Sequence, residues 1–385
     1  MRWKNKGHEY DTIYKRIEEI KGFYLFGAGD YGNQFFHMID KELPLISYID
    51  NSPKKQGMHM NGLEICAFPE KKIAKEQAFI LTVSQIQRMK MVDQLEEAGY
   101  VRNEDFFLIE EFISVYYVYK YNKVYFSTIS MLPSTRCNLN CELCLNFNPY
   151  AKEPSIRSIE QVKSDIDAFF GAVDYIMLFH ISGGEPFLYQ DLPEVIAYLD
   201  KKYGDRIGTI RTVTNGTVVP RDDMLEQLKN LNFEITVDDY RDAVSDGLKG
   251  NFEKLLGKLD EYGIRYWTNY TDEWIDLAPT KTDYTHWSEE KLQRHFDECC
   301  QSWQELRDGK IFMCNYSAYA AVAGINKTEH DEYYDLKSYQ KCNSKELIEF
   351  RLGYSEKGYV SFCKKCRGFS SKNQLVAKAA KQVER

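Results

Sequence analysis

Short apolar runs alternate with amphipathic stretches along most of the chain. GFYLF, LISYI and FILTVS read as buried strands, DYGNQFFHMI and KMVDQLEEAGY as helices. The alternation restarts at residue 124. Strands are expected at VYFSTISML (124–132), YIMLFHIS (175–182), GTIRTVT (208–214), FEITVDD (233–239) and IRYWTNY (264–270). Helices SIEQVKSDIDAFFGA, LPEVIAYLDKKYG, RDDMLEQLKNL and NFEKLLGKLDEYG lie between them. Strands that alternate with helices call for a parallel sheet, closed or partly closed into a barrel. Functional residues in such barrels gather at the C-terminal strand ends. The expected organisation is α/β, with regions at 1–120, 121–285 and 286–370 and a tail at 371–385. The third region reads as irregular and rich in cysteine. The tail, SSKNQLVAKAAKQVER, reads as a mobile or surface helix without chemistry. The linker VYYVYKYNKVYF (115–126) has neither Gly nor Pro and is expected to be partly extended. Its tyrosines read as aromatic packing between domains, with a stacking platform for a nucleobase as the lesser reading.

The chain of 385 residues is 43% hydrophobic, enough for two or three domains with cores of their own. A formal net charge of −8 argues against a nucleic-acid partner, which a basic face would serve. No apolar run is long enough for a membrane span, and the charged amphipathic N-terminus lacks the apolar centre of a signal peptide. A cytoplasmic location, without a membrane partner, is the expectation. Thiols stay reduced there, so the ten cysteines read as metal ligands or free thiols.

Three of them crowd one loop: Cys137, Cys141 and Cys144, spaced C-x3-C-x2-C after the first barrel strand. Thiolates suit zinc or iron–sulfur clusters. A zinc site completed by a remote ligand is one reading; a cluster with one open corner is the other. The second strand ends in Gly183, Gly184, Glu185 and Pro186. Two glycines let the backbone approach a ligand closely, Glu185 could pair with an amine, and Pro186 stiffens the exit.

With those two motifs in this order, residues 122–285 resemble the radical SAM superfamily. The resemblance implies a partial (β/α)6 barrel and a 4Fe-4S cluster on Cys137, Cys141 and Cys144. It further implies S-adenosylmethionine on the open iron, with its amine held by the Gly183–Pro186 turn. One electron, from a flavodoxin or ferredoxin-type donor, would then release methionine and a 5′-deoxyadenosyl radical. Thr214 and Asn215 in VTNGT, and Thr236 and Asp238 at the fourth strand end, are further candidate cofactor contacts. A plain Asn-Gly turn is the alternative for the first pair. Many members carry an aromatic residue before the third cysteine; this chain has Leu143, so its adenine contact would be aliphatic.

A second set follows: Cys299 or Cys300, then Cys314, Cys363 and Cys366. Taken alone it fits a structural zinc ribbon. In context it resembles the auxiliary-cluster extension of radical SAM enzymes, SPASM in its long form and twitch in its short form. Cys299, Gly309 and Cys314 match the opening spacing, and no cysteine lies beyond Cys366, so the short form with one auxiliary 4Fe-4S cluster is implied. Cys66 and Cys342 are expected to be small buried hydrophobes, with Cys342 a substitute ligand should Cys363 or Cys366 not serve.

In the first region Gly27, Gly29 and Gly32 form G-x-G-x-x-G between a strand and a helix, and Asp50 ends the next strand. By mechanism this suits a nucleotide, with amides for phosphate and a carboxylate for ribose. A Rossmann-shaped packing domain without ligand is the alternative. The stretch resembles the N-terminal domain of bacterial sugar acyltransferases, which implies a nucleotide-linked sugar or a docking role. The expected activity is therefore radical dehydrogenation of a carbohydrate or nucleotide sugar. Epimerisation, peptide modification and a zinc-stapled scaffold are the competing readings.

Overall fold

A computed structural model describes residues 1–39, 41, 43–83, 85–299, 303–370 and 372–383. Cys300 lies outside the described residues. The chain forms two compact units. One is Asn5–Ser127 with Ser344–Glu349; the other is Met1–Lys4, Thr128–Asn343 and Phe350–Arg385.

The first unit runs α1 (Asp11–Glu19), β1 (Gly22–Phe26), α2 (Asp30–Met38), β2 (Leu45–Ile49), β3 (His59–Met60), β4 (Leu63–Cys66), β5 (Gln77–Leu81), α3 (Gln85–Glu97), β6 (Phe106–Leu108) and α4 (Ile109–Tyr121). The sheet order is β3-β4-β2-β1-β5-β6. Every pairing is parallel except the β3–β4 hairpin. That is the doubly wound order, with β1 central and the chain stepping outward to each side. Phe26, Phe79 and Phe106 fill the core of this sheet, and Leu95 of α3 packs on them.

The tyrosine-rich linker departs from the expected partly extended form. Residues 115–121 belong to helix α4, which ends at Asn122 in the left-handed conformation, φ 51°. Valine and tyrosine favour strands, but only weakly against context. Here Phe112, Ile113, Val115, Tyr116, Tyr117 and Val118 are all buried, so the helix is covered around its first turns, and burial decides; Lys120 and Tyr121 in the last turn are exposed. Its rings meet each other: Tyr117 stacks on Tyr125 at 3.8 Å, and Phe112 on Tyr116 at 5.5 Å.

The second unit begins with β7 (Tyr125–Met131), then α5 (Ile159–Ala172), β8 (Tyr175–Ile181), α6 (Leu192–Tyr203), β9 (Ile207–Thr214), α7 (Asp222–Leu228), β10 (Glu234–Asp238), α8 (Asp246–Glu261) and β11 (Tyr266–Asn269). It continues with β12 (Glu273–Ile275), α9 (Glu289–Asp297), β13 (Glu305–Arg307), β14 (Lys310–Phe312), α10 (Asn315–Val322) and β15 (Tyr333–Asp335). Strand β16 (Val376–Lys378) follows; of helix α11 (Ser344–Arg351), Ser344–Glu349 belongs to the first unit. The large sheet has the order β11-β10-β9-β8-β7-β13-β14-β15. Strands β8 to β11 pair in parallel, and β13 adjoins β7 in parallel through Glu305 and Ser130. This is the expected α/β barrel wall, extended by the β13–β14 hairpin and β15. Helix α5 starts on a full capping box, Ser158 with Gln161, and helix α8 begins earlier than the apolar period alone indicates. The cysteine-dense third region is more regular than expected, holding helices α9 and α10 and the β13–β14 hairpin.

The tail is not a helix. Strand β16 pairs antiparallel with β12, Glu273 opposite Lys378 and Ile275 opposite Val376. Alanine and lysine prefer helix by only tenths of a kcal/mol per residue. The free edge of β12 and a buried seat for Ala380, 0% exposed, outweigh that preference. Among the described residues, no helix is long and apolar enough to cross a membrane.

Candidate active site

The loop after β7 carries Cys137, Cys141 and Cys144, and the turn after β8 carries Gly183 to Pro186. The two are bound edge to edge. Gly184 N–H donates to the Ser134 carbonyl (2.9 Å) and Glu185 N–H to that of Arg136 (2.8 Å). A β-carbon on Gly184 would stand 2.5 Å from the Thr135 carbonyl oxygen. That position must be glycine, because the turn approaches the cysteine loop rather than because a ligand approaches the turn. A β-carbon on Gly183 would meet only ordinary contacts, the nearest the Ser134 carbonyl oxygen at 3.5 Å.

Glu185 is 1% exposed and turns inward. Its carboxyl accepts from the Thr214 hydroxyl (2.8 Å), Asn215 N–H (2.9 Å) and Phe187 N–H (3.2 Å). Burial pushes the group up to about 7, against those three donors, and the nearby Asp238 carboxylate adds to the rise. Glu185 and Thr214 therefore lock the ends of β8 and β9 together, and Glu185 is not turned outward toward an amine. The Asn215 side-chain amide lies 3.7 Å from Cys137 Sγ and donates to Asn138 Oδ1 at 3.0 Å. Asn138 in turn donates to the Thr217 hydroxyl at 2.7 Å. Asp238 accepts from the Tyr240 hydroxyl (2.6 Å) and from Asn269 (2.8 Å), and burial raises its carboxyl. Tyr240 packs beside Cys137, Cys141 and Cys144. Leu143 and Cys144 are half-buried in the loop, and Thr236 is buried on β10. Sequence reasoning passed over Asn138, Tyr240 and Asn146, which donates to the Gly183 carbonyl. Only their nearness to a cysteine or a strand end could have marked them.

Cys141 is buried, and Cys137 and Cys144 are half-buried. Burial pushes Cys137 up to about 12 and Cys141 up to about 11. A bound metal centre would reverse this, since coordination needs the thiolate.

The second set also converges. Cys299 follows α9, Cys314 caps α10, and Cys363 and Cys366 lie on a turn at Ser361–Lys365 and its end. Each of Cys314, Cys363 and Cys366 feels the charge of its set-mates, and burial pushes Cys314 up to about 12. Gly368 N–H points at Cys366 Sγ (3.3 Å), and Phe369 N–H at Cys299 Sγ (3.4 Å). Gly309 turns the β13–β14 hairpin at φ 72°, and its N–H donates to Asp165 at 2.7 Å. Four thiolates around one zinc would stand about 3.8 Å apart. Among the described residues no three cysteine sulfurs lie within 4.8 Å of one another. The donor chemistry of both sets fits iron–sulfur clusters. Cys342, expected to be buried, is exposed on a turn with Gln340 and Asn343 and joins neither set; Cys66 is half-buried in β4.

Phe147 links the sets. It lies three residues past Cys144, is buried, and meets Phe362 edge-on at 5.5 Å and Tyr316 at 6.5 Å. Phe362 precedes Cys363, and Tyr316 follows Cys314 by two positions.

One polar row crosses the sheet face away from the helices. Phe179 packs on Phe169 of α5, so its neighbour His180 points to the opposite face. His180, Arg211 and Glu234 stand in one row across β8, β9 and β10. Arg211 donates to Glu234 at 2.7 and 2.9 Å and lies over the Trp267 ring at 4.4 Å. His180 meets Trp303 edge-on at 5.3 Å. Its Nδ1 has no hydrogen-bond partner among the described residues. Burial and then Arg211 push its pKa down to about 4, so it is neutral.

In the first unit Asp50 faces the glycine loop. It accepts from Ala28 N–H (3.0 Å), Ser52 N–H (2.8 Å) and Lys55 (3.0 Å), and Lys55 also donates to the Ala28 carbonyl at 2.9 Å. Burial would raise the Asp50 carboxyl, but those donors outweigh it and hold it low. Gly27 takes φ 125°, and Gly32 packs against the Gly27 carbonyl, so both glycines serve the turn itself; Gly29 caps α2.

Residues 131–271 match the model of the Radical SAM superfamily. That segment is similar to a radical SAM domain. The family binds a 4Fe-4S cluster and S-adenosylmethionine, and SPASM-type relatives carry auxiliary clusters. Fe-coproporphyrin III synthase of Methanosarcina barkeri is 31% identical over 174 residues, 41% of this chain and 40% of that protein. The subtilosin biosynthesis protein AlbA of Bacillus subtilis is 33% identical over 140 residues, 34% of this chain and 29% of that one. The chain thus spans two fifths or less of the length of these relatives. Among solved structures, BtrN in complex with AdoMet and 2-DOIA aligns with 65% of this chain and 96% of its own, at 17% identity and a TM-score of 0.39.

Proposed function

We propose that this chain is a radical SAM dehydrogenase of a carbohydrate, either free or carried on a nucleotide. Cys137, Cys141 and Cys144 hold the first cluster, and Cys299, Cys314, Cys363 and Cys366 the second. When bound, the clusters and S-adenosylmethionine supply a one-electron sulfonium cleavage, a hydrogen-abstracting 5′-deoxyadenosyl radical and an acceptor for the electron the substrate then loses. The protein's part is aim and exclusion of water. The Gly183–Pro186 turn and Asn215 set the cysteine loop, Glu185 and Thr214 brace that turn, and Leu143, Thr236 and Asp238 border the cofactor.

The observation that carries the carbohydrate reading is the row of His180, Arg211 and Glu234 with Trp267 beside Arg211. An aromatic plane beside fixed donors and acceptors suits a ring with many hydroxyls, since the plane takes the C–H face and the polar groups fix orientation. The test is 5′-deoxyadenosine release by anaerobically reconstituted protein with a reductant, across a panel of sugars, nucleotide sugars and peptides. A sugar should stimulate release and be recovered as a ketone. A peptide is the second reading, supported by the similarity to AlbA. Stimulation by peptide and by no carbohydrate would replace the first reading with it.

A further inference from the structure

Beyond β16 the chain folds back over the first cysteine loop. Ala380 takes φ 53° and packs, fully buried, with Leu139, Cys141 and Val244. Glu142 N–H donates to the Lys381 carbonyl (2.7 Å), and Val383 N–H to that of Asn140 (2.9 Å). Asn140 Nδ2 donates to the Val383 carbonyl at 3.1 Å. Gln382 does two things with one amide. Its oxygen accepts from Asn140 N–H at 2.8 Å, and its nitrogen points at Cys141 Sγ from 3.3 Å while also donating to the Ala380 carbonyl at 2.6 Å. The loop has little regular structure of its own, so these bonds are a large part of what holds it.

We propose that residues 379–383 are a built strap of the first cluster site, and that Gln382 is a positioning residue that tunes it through Cys141. The inference rests on the reading that Cys137, Cys141 and Cys144 hold a cluster. An N–H aimed at a cluster thiolate withdraws charge from it and favours the more negative, reduced state. Partners of ligands also hold them in place, and their loss costs about 10–100-fold in metal affinity. The exposed Lys381–Glu142 ion pair, 2.7 Å, belongs to the same strap but adds little in water.

The test uses the full chain, reconstituted anaerobically without substrate. Redox titration by electron paramagnetic resonance follows the signal that changes on adding S-adenosylmethionine, which separates the first cluster from the second. Gln382→Leu should move the midpoint of that signal more negative and weaken iron retention by about 10–100-fold. Gln382→Glu keeps an acceptor for Asn140 but places a carboxylate at the sulfur. It should retain more iron than Gln382→Leu and show the more negative midpoint of the two. An unchanged midpoint and unchanged iron content in both Gln382 variants would overturn the strap proposal alone. An unmodified chain with no S-adenosylmethionine-responsive signal would overturn the cluster reading and the strap together.

Discussion

The two cysteine sets are built from the same chemistry to opposite ends. The first has three thiols on one loop beside a glycine turn, with Cys141 buried and Cys137 and Cys144 half-buried. The second draws four thiols from three separate stretches of chain, and at Cys363 and Cys366 they are buried. On the proposed reading the difference is the number of protein ligands, three against four. A cubane with four protein ligands has no coordination place left, whereas one with three can take a small molecule. Ligand count therefore separates a centre that can do chemistry from one that can only pass electrons or order structure.

The sharpest way to break this contrast is to remove one ligand from each set. Cys137→Ala should abolish S-adenosylmethionine cleavage, read as 5′-deoxyadenosine by chromatography. Cys363→Ala should leave cleavage in place, lose the oxidised product, and lower bound iron from about eight to about four per chain. Equal effects of the two variants would erase the distinction.

A smaller effect is expected from steric changes beside each set. Gly184→Ala would press a β-carbon onto the backbone at Thr135 and Arg136, which cannot swing aside, and should cost about 1–3 kcal/mol and the S-adenosylmethionine-induced spectral shift. Gly368→Ala, at φ 81° and 3.0 Å from His295, should disturb only the second cluster. Thermal unfolding and spectra of the two variants check this.

A pH effect arises between the sets. Glu305 on β13 is wholly buried, and burial pushes its carboxyl up to about 8, against Leu132 N–H and Arg307. The folded chain then binds that proton more tightly than the unfolded chain, whose carboxyl titrates near 4.5. Its contribution is fully present below about 4.5 and is lost as pH rises through about 8. Urea midpoints should fall across that window, and Glu305→Gln should flatten the fall. A profile equally steep in the variant would remove Glu305 as its cause.

The smallest effect is expected from Phe147→Leu. It removes the edge-on contacts with Phe362 and Tyr316, worth about 0.5–1.5 kcal/mol beyond burial, and should lower product yield per cleavage more than cleavage itself. A proportional fall of both would deny Phe147 a linking role.

Much of the barrel was legible, because its strands and helices follow strict periods and its chemistry sits in short motifs at strand ends. The strands from residue 124 to residue 270 and the helices between them stand within a few residues of where the hydrophobic pattern put them. Legibility failed where partners are remote. The linker 115–126 read as partly extended, and only its end is strand; burial of Val115 to Val118 made its first part a helix. Asp50 read as a ribose ligand, yet in the fold Ala28 N–H and Lys55 already take its carboxylate. Gln382 carried no signal, since its meaning depends on Cys141, far away in sequence.

What the sequence determined by itself was local: which residues can bind iron, how the cysteines are spaced, and which runs are strand or helix. Spacing and period are properties of a few consecutive residues, so they survive without the fold. What tertiary structure alone decided was which groups the ligands meet. The inward turn of Glu185, the convergence of Cys299, Cys314, Cys363 and Cys366, and the strap across Cys141 each join residues brought together only when apolar faces are buried. No local pattern encodes that pairing, because the free energy that selects it belongs to the whole packed core.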